Sequence, residues 1–211
     1  MTPAELETQA RARYNADGDP HFASLELRSA MYQAELELAL EASVIEATTT
    51  VSSTTNTQTV TFPTNCIGIR RIEYDGQKLN PASVDDDPKN STTEVYGTPA
   101  EYSIWNDTIY LYPTPQDSQS VKIFYYKEPD QLTTSSTVMS VPARYHTDIL
   151  DMVLSVMYAK DQNTNMSSYH RNLWESNLNK IKRSRRKEKR GDQFQVVAEY
   201  GTDRSTGGYR Y

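Results

Sequence analysis

The chain has 211 residues, 36% of them hydrophobic, and a formal net charge of −6; at roughly 150 residues per domain it is one domain, or one domain with an insertion. No apolar run approaches the roughly 20 residues of a membrane span, and no apolar stretch follows the first Met as a secretory signal requires. A lone cysteine, Cys66, excludes an internal disulfide framework and a Cys-based zinc site, and is compatible with assembly in a reducing cytoplasm.

Thr2-Pro3-Ala4-Glu5 has the pattern of a helix start, with Thr as cap, Pro at the first helical position and Glu three residues after the cap. A first helix is predicted to about Tyr14, followed by a turn over Asn15 to Pro20. A second is predicted from about Phe22 to Glu46, with Leu27, Met31, Ala34, Leu38 and Ile45 near one face, Ala30 beside them, and Glu35, Glu37 and Glu41 elsewhere on its surface.

At Thr48 the composition turns Thr-rich and β-branched, which favours strands. Val60 and Phe62 alternate with Thr59 and Thr61, and Pro63-Thr64-Asn65 stops that run. Asp75-Gly76 and Asn106-Asp107 each sit between strand-like runs, as hairpin turns do. Asp85 to Thr93 is a predicted loop, and Pro113 and Pro115 end the second hairpin. Ser120 to Lys127 is a last strand, with Val121, Ile123 and Tyr125 on one face. About six short strands result, antiparallel because the connections are too short for helical crossovers.

Helix returns at Pro142. Tyr145 to Asp161 is the most apolar stretch and is predicted to be the central core helix, with Ile149, Leu150, Val153, Leu154, Met157 and Tyr158 at helical spacing. Ser167 or Ser168 caps a final helix with Leu173, Trp174, Leu178 and Ile181 on one face. The expected fold is α+β: a helix bundle of two N-terminal and two C-terminal helices, with a central antiparallel β-rich insertion and an extended C-terminal arm. The divisions fall at 1–47 for the N-terminal helices, 48–135 for the insertion, 136–190 for the helices that complete the bundle, and 191–211 for the arm, which has no periodic pattern.

The residue patterns of catalysis are missing. His21, His146 and His170 lie far apart, in no HExxH pattern and beside no cysteine, and His146 reads as a packing or capping residue at the start of the core helix. Cys66 reads as a small buried hydrophobe. Asp85-Asp86-Asp87 lacks the spaced ligands of a calcium loop, and no glycine-rich phosphate loop exists. No catalytic, cofactor-binding or metal-binding residue, and no cofactor, is expected.

Charge is concentrated near the end. Residues 180–190, KIKRSRRKEKR, hold eight basic residues and one acid, against twelve basic and twenty-four acidic residues in 1–179. The sequence predicts that this block continues the last helix past its apolar stripe with no core to pack on. Lys and Arg that complement a helix dipole account for two or three such charges, not eight. The block therefore reads as binding a polyanion or an acidic protein face. The candidate partner-binding residues are Lys180, Lys182, Arg183, Arg185, Arg186, Lys187, Lys189 and Arg190, with Tyr200, Tyr209 and Tyr211 beyond them. Tyr is enriched throughout, 15 against 4 Phe and 2 Trp, and supplies amphipathic interface area.

Four stretches, in their order, resemble head–tail adaptor (connector) proteins of tailed bacteriophages, especially the short-tailed type. They are TQTVTFPTNCIGIRRIEYDGQKL (57–79), YGTPAEYSIWNDTIYLYPTP (96–115), VKIFYYKEPDQLT (121–133) and VPARYHTDILDMVLSVMYAKDQN (141–163). With the N-terminal helices the resemblance covers about residues 1 to 182. It implies a non-enzymatic structural protein at the head–tail interface of the virion, assembled in the host cytoplasm. Such proteins form a homo-oligomeric ring of about twelve copies that joins the portal protein to a tail nozzle or tail tube protein. DNA passes through the lumen during ejection without sequence-specific binding, and no membrane is involved. The C-terminal extension reaches onto the portal, which would make the basic and tyrosine residues above portal-binding. Two other classes stay open from the sequence: a nucleic-acid-binding accessory protein using the basic C-terminal helix, and an enzyme such as a wall hydrolase.

Overall fold

A computed structural model, describing residues 1–83, 95–134 and 138–189, follows the predicted order of helices, strands and helices, and the chain is α+β. The first helix, α1, is Pro3–Tyr14. Its cap is reciprocal: Glu5 N–H donates to Thr2 Oγ1 at 3.2 Å and Thr2 N–H donates to Glu5 Oε2 at 2.9 Å. The second, α2, is Ser24–Ala42, shorter than its predicted span. Ser43 turns left-handed (φ 51°) and its N–H returns to the Ala39 carbonyl. Val44 and Ile45, both β-branched, then leave the helix, although Ile45 remains buried.

Past the insertion, α3 is His146–Lys160 and α4 is Thr164–Lys189. The α4 cap is Asn163, whose Oδ1 accepts the Met166 N–H at 3.2 Å, rather than Ser167 or Ser168. Ser167 Oγ instead donates to the Ser155 carbonyl at 2.9 Å, which ties α4 to α3. As predicted, α3 is central and touches the other three helices. Its Ile149, Leu150, Val153, Leu154 and Met157 pack with Leu6, Leu27, Met31, Leu38 and Trp174. Glu35, expected on the α2 surface, is fully buried in this cluster's midst.

Among the described residues the insertion holds ten strands: β1 Glu46–Ser52, β2 Thr59–Thr61, β3 Cys66–Tyr74, β4 Gln77–Lys78, β5 Asn80–Pro81, β6 Tyr96–Gly97, β7 Glu101–Trp105, β8 Thr108–Tyr112, β9 Thr114–Pro115 and β10 Ser120–Lys127. They form two four-stranded sheets, in the orders β1-β10-β3-β4 and β2-β8-β7-β5, and a small β6-β9 pair. Ile72, Tyr74, Val121, Ile123 and Tyr125 of the first sheet meet Val60, Tyr102, Ile109 and Leu111 of the second in one apolar cluster. The longer pairings are antiparallel. The pairs β5-β7 and β6-β9 are parallel, because each is joined by a long excursion rather than a hairpin. Both predicted hairpin turns form, with Asp75 and Gly76 at φ 47° and 77° and Asn106 and Asp107 at φ 47° and 53°. The Asp85 to Thr93 stretch lies outside the described residues.

Candidate functional site

The basic block forms the last turns of α4. Upstream, Trp174, Leu178 and Ile181 are buried, and Trp174 Nε1 donates to Glu37 Oε2 at 2.6 Å. Arg171 adds an ion pair to the same Glu37 at 3.1 Å. These contacts hold α4 along α2 and carry the block past the α2 C-terminus.

There the block differs from its sequence reading. Arg185 is 9% exposed. Its Nη2 donates to Glu46 Oε1 at 2.6 Å and to the Ser43 carbonyl at 3.0 Å, and its Nη1 donates to Glu188 Oε2 at 2.5 Å. Ser43 ends α2, so the guanidinium satisfies a carbonyl at a helix C-terminus and lies at the negative end of its dipole. Burial alone would lower the Arg185 pKa, but Glu46 and Glu188 outweigh it and raise it. Lys182 Nζ pairs with Glu41 Oε2 at 2.5 Å, and that hydrogen bond and charge hold the exposed Glu41 carboxyl below its ordinary range. The block thus has a packed side, which the sequence reading lacked. The stripe Trp174, Leu178, Ile181, Arg185 continues at helical spacing, so the signal was present in the spacing. The acids that receive Arg185 and Lys182 come from α2 and β1, far away in the chain.

The remaining cations face outward. Lys180, Arg183, Arg186 and Lys187 are exposed, with Lys180 Nζ donating to Asn177 Oδ1 at 3.1 Å. Lys189 closes the helix. Arg190, Tyr200, Tyr209 and Tyr211 lie outside the described residues, as does the Lys189 side chain.

The three histidines have separate polar partners. His146 is buried, with Nδ1 3.0 Å from the Met1 amine and Nε2 donating to the Val141 carbonyl at 2.9 Å. Burial, then the nearby amino group, lower its pKa despite the Val141 bond. His21 pairs with Asp161 at 3.0 Å and His170 with Asp151 at 3.1 Å. Cys66 is half-buried beside the β cluster, and burial raises its thiol pKa, which leaves it a poor nucleophile. Among the described residues no group of three or more His, Cys, Asp or Glu side chains is placed to hold a metal, and no helix is long and apolar enough to cross a membrane.

The end of α4 is a helix end fixed by its inner cations and displaying its outer ones. No curated protein matches the chain. The family model described as SU10 adaptor protein matches residues 1–197, which takes in both helical segments, the whole β insertion and the basic block. The chain therefore belongs to the SU10 adaptor protein family and is a structural adaptor protein of a bacteriophage virion.

Proposed function

We propose that the chain forms a ring that joins the portal to the tail, seating on the portal through the outward cations of α4 and the residues beyond them. The observation that carries this reading is the division of labour within the basic block. Lys182 and Arg185 fix the helix end to Glu41, Ser43 and Glu46, while Arg183 and Arg186 stand exposed. A pinned helix end with outward charge is preorganised for a partner of opposite sign.

The far side of the ring meets a tail nozzle or tail tube protein, in about twelve copies set by closed rotational symmetry. DNA passes through the lumen, and the strongly acidic residues 1–179 give it no adhesive wall. Assembly takes place in the host cytoplasm and needs no chemical step. The direct test is sedimentation of the purified chain alone and mixed with the portal of its own virion. The chain alone should sediment as a monomer or weak oligomer, and the mixture as a ring complex. A chain that stays monomeric beside that portal refutes the reading.

A further inference from the structure

A second group of cations lies on the outer face of the first sheet, where the sequence shows only an Ile-Arg-Arg-Ile run. β3 is bulged opposite Phe124: the register passes from Phe124–Arg71 to Tyr125–Ile69, leaving Arg70 over. A bulge interrupts the in-and-out alternation of a strand. Arg70 and Arg71 are consequently both exposed, while Ile72 is fully buried. The Arg71 guanidinium lies 4.3 Å from the Phe124 ring centroid and the Lys122 ammonium 5.0 Å from it. Arg70, Arg71, Lys78, Phe124 and Glu46 line a cavity of about 330 Å³.

Glu46 connects this group to α4. Its Oε1 accepts Arg70 Nη1 at 3.0 Å and Arg185 Nη2 at 2.6 Å. One carboxylate oxygen is thus shared between a sheet cation and a helix cation. Arg71 is paired with Glu73 at 2.8 Å. Lys78 and Lys122 have no ion pair among the described residues.

We infer that the sheet face and the α4 block form one surface, and that the cavity beside Phe124 receives a carboxylate side chain from an acidic segment of a partner protein. Guanidinium forks pair with carboxylates in plane, Lys78 supplies an ammonium with no ion pair among the described residues, and the Phe124 ring covers the methylene stem of the incoming acid. Duplex DNA fits less well. It carries about one charge per 1.7 Å of its axis, and Glu46 and Glu73 are set among the cations, so an evenly charged polyanion meets both. A protein segment spaces its acids to avoid them. The naming of the portal as that partner rests on the adaptor reading; the carboxylate chemistry does not.

The test is a low-salt anisotropy titration of labelled poly-L-glutamate, and separately of labelled duplex DNA, with the full chain. Poly-L-glutamate should bind more tightly than the duplex. The paired change Lys78→Glu with Lys122→Glu should weaken its binding roughly five- to tenfold, as should Arg183→Glu with Arg186→Glu, since exposed charge contacts are each worth a few tenths to 1 kcal/mol. Lys78→Gln with Lys122→Gln, which adds no repulsion, should act in the same direction with an unchanged melting temperature. Undiminished binding by the sheet variants, tighter binding of the duplex, or no binding of poly-L-glutamate overturns the inference. Failure of the adaptor reading registers elsewhere: virions lacking the chain would join heads to tails, whatever the titration gives.

Discussion

Glu35 and Val141, 106 residues apart, are joined by a hydrogen bond from the Val141 N–H to Glu35 Oε1 at 3.1 Å. Glu35 is fully buried and its Oε2 has no hydrogen-bond partner among the described residues. Burial pushes its carboxyl up to about 7 against the downward pull of the Val141 and Ser140 N–H groups, with Asp130 adding to the rise. The Val141 carbonyl accepts from His146 Nε2, so Val141, five residues before α3, is tied at once to α2 and to the first residue of α3.

Stability should fall as pH rises through this window. An acid with a raised folded-state pKa binds more protons folded than unfolded between its unfolded value of 4.5 and about 7. Its contribution is complete below pH 4.5 and is lost as pH passes about 7, to a total of about 3 kcal/mol. Glu35→Gln keeps an acceptor for Val141 and removes the titration. It should melt higher than the unmodified chain at pH 8 and much closer to it at pH 4.5. Equal pH dependence of the two melting curves would refute the assignment.

The helical core can be probed through Leu154, 2% exposed in the bundle cluster. Leu154→Ala should cost about 2–5 kcal/mol in denaturant unfolding. Leu111 is fully buried between the sheets, but its cluster is smaller, and Leu111→Ala should fall toward the lower end of that range. Two harmless substitutions would mean that neither cluster carries the fold.

Arg185 and Arg183, two residues apart, should behave oppositely. Arg185→Ala leaves the Ser43 carbonyl without this donor and Glu46 with Arg70 alone, and should cost about 1–3 kcal/mol. Arg183→Ala should leave the stability within about 0.5 kcal/mol of the unmodified chain, since Arg183 is exposed. Paired with Arg186→Ala, it should still weaken portal attachment, most visibly at low salt. Thermal melts and pull-down on the portal separate the two roles.

Deletion of residues 191–211 should leave the melting temperature nearly unchanged and reduce the number of particles with tails attached. A truncated chain that unfolds would place those residues in the core; one that supports full tail attachment would remove them from the interface.

Much of the fold was legible because local chemistry and tertiary packing agree. The Thr2–Glu5 cap, the Asp75-Gly76 and Asn106-Asp107 turns and the stripe of α3 all appear where spacing and turn preference place them. The errors arise where a distant partner decides. Glu35 looks like a surface acid until a backbone N–H from the segment before α3 meets it. Arg185 looks like one more solvated cation until β1 brings Glu46 beside it. The two outward arginines of β3 depend on an unmatched residue in the pairing with β10, and strand periodicity assigns Arg70 and Arg71 to opposite faces. The family resemblance came from the order of four weak motifs, a property of the whole chain that no single contact reveals.

The 26-residue α4 is a strut about 39 Å long with its two halves fastened to different parts of the molecule. One half lies in the helical bundle through Trp174 and Leu178; the other is clipped through Lys182 and Arg185 to the last turn of α2 and the first residue of β1. A pull on its C-terminal end is therefore resisted by bundle and sheet together. Neither layer can be peeled from the other along that direction without first stripping Arg185 from the Ser43 carbonyl and from Glu46, which would keep only Arg70.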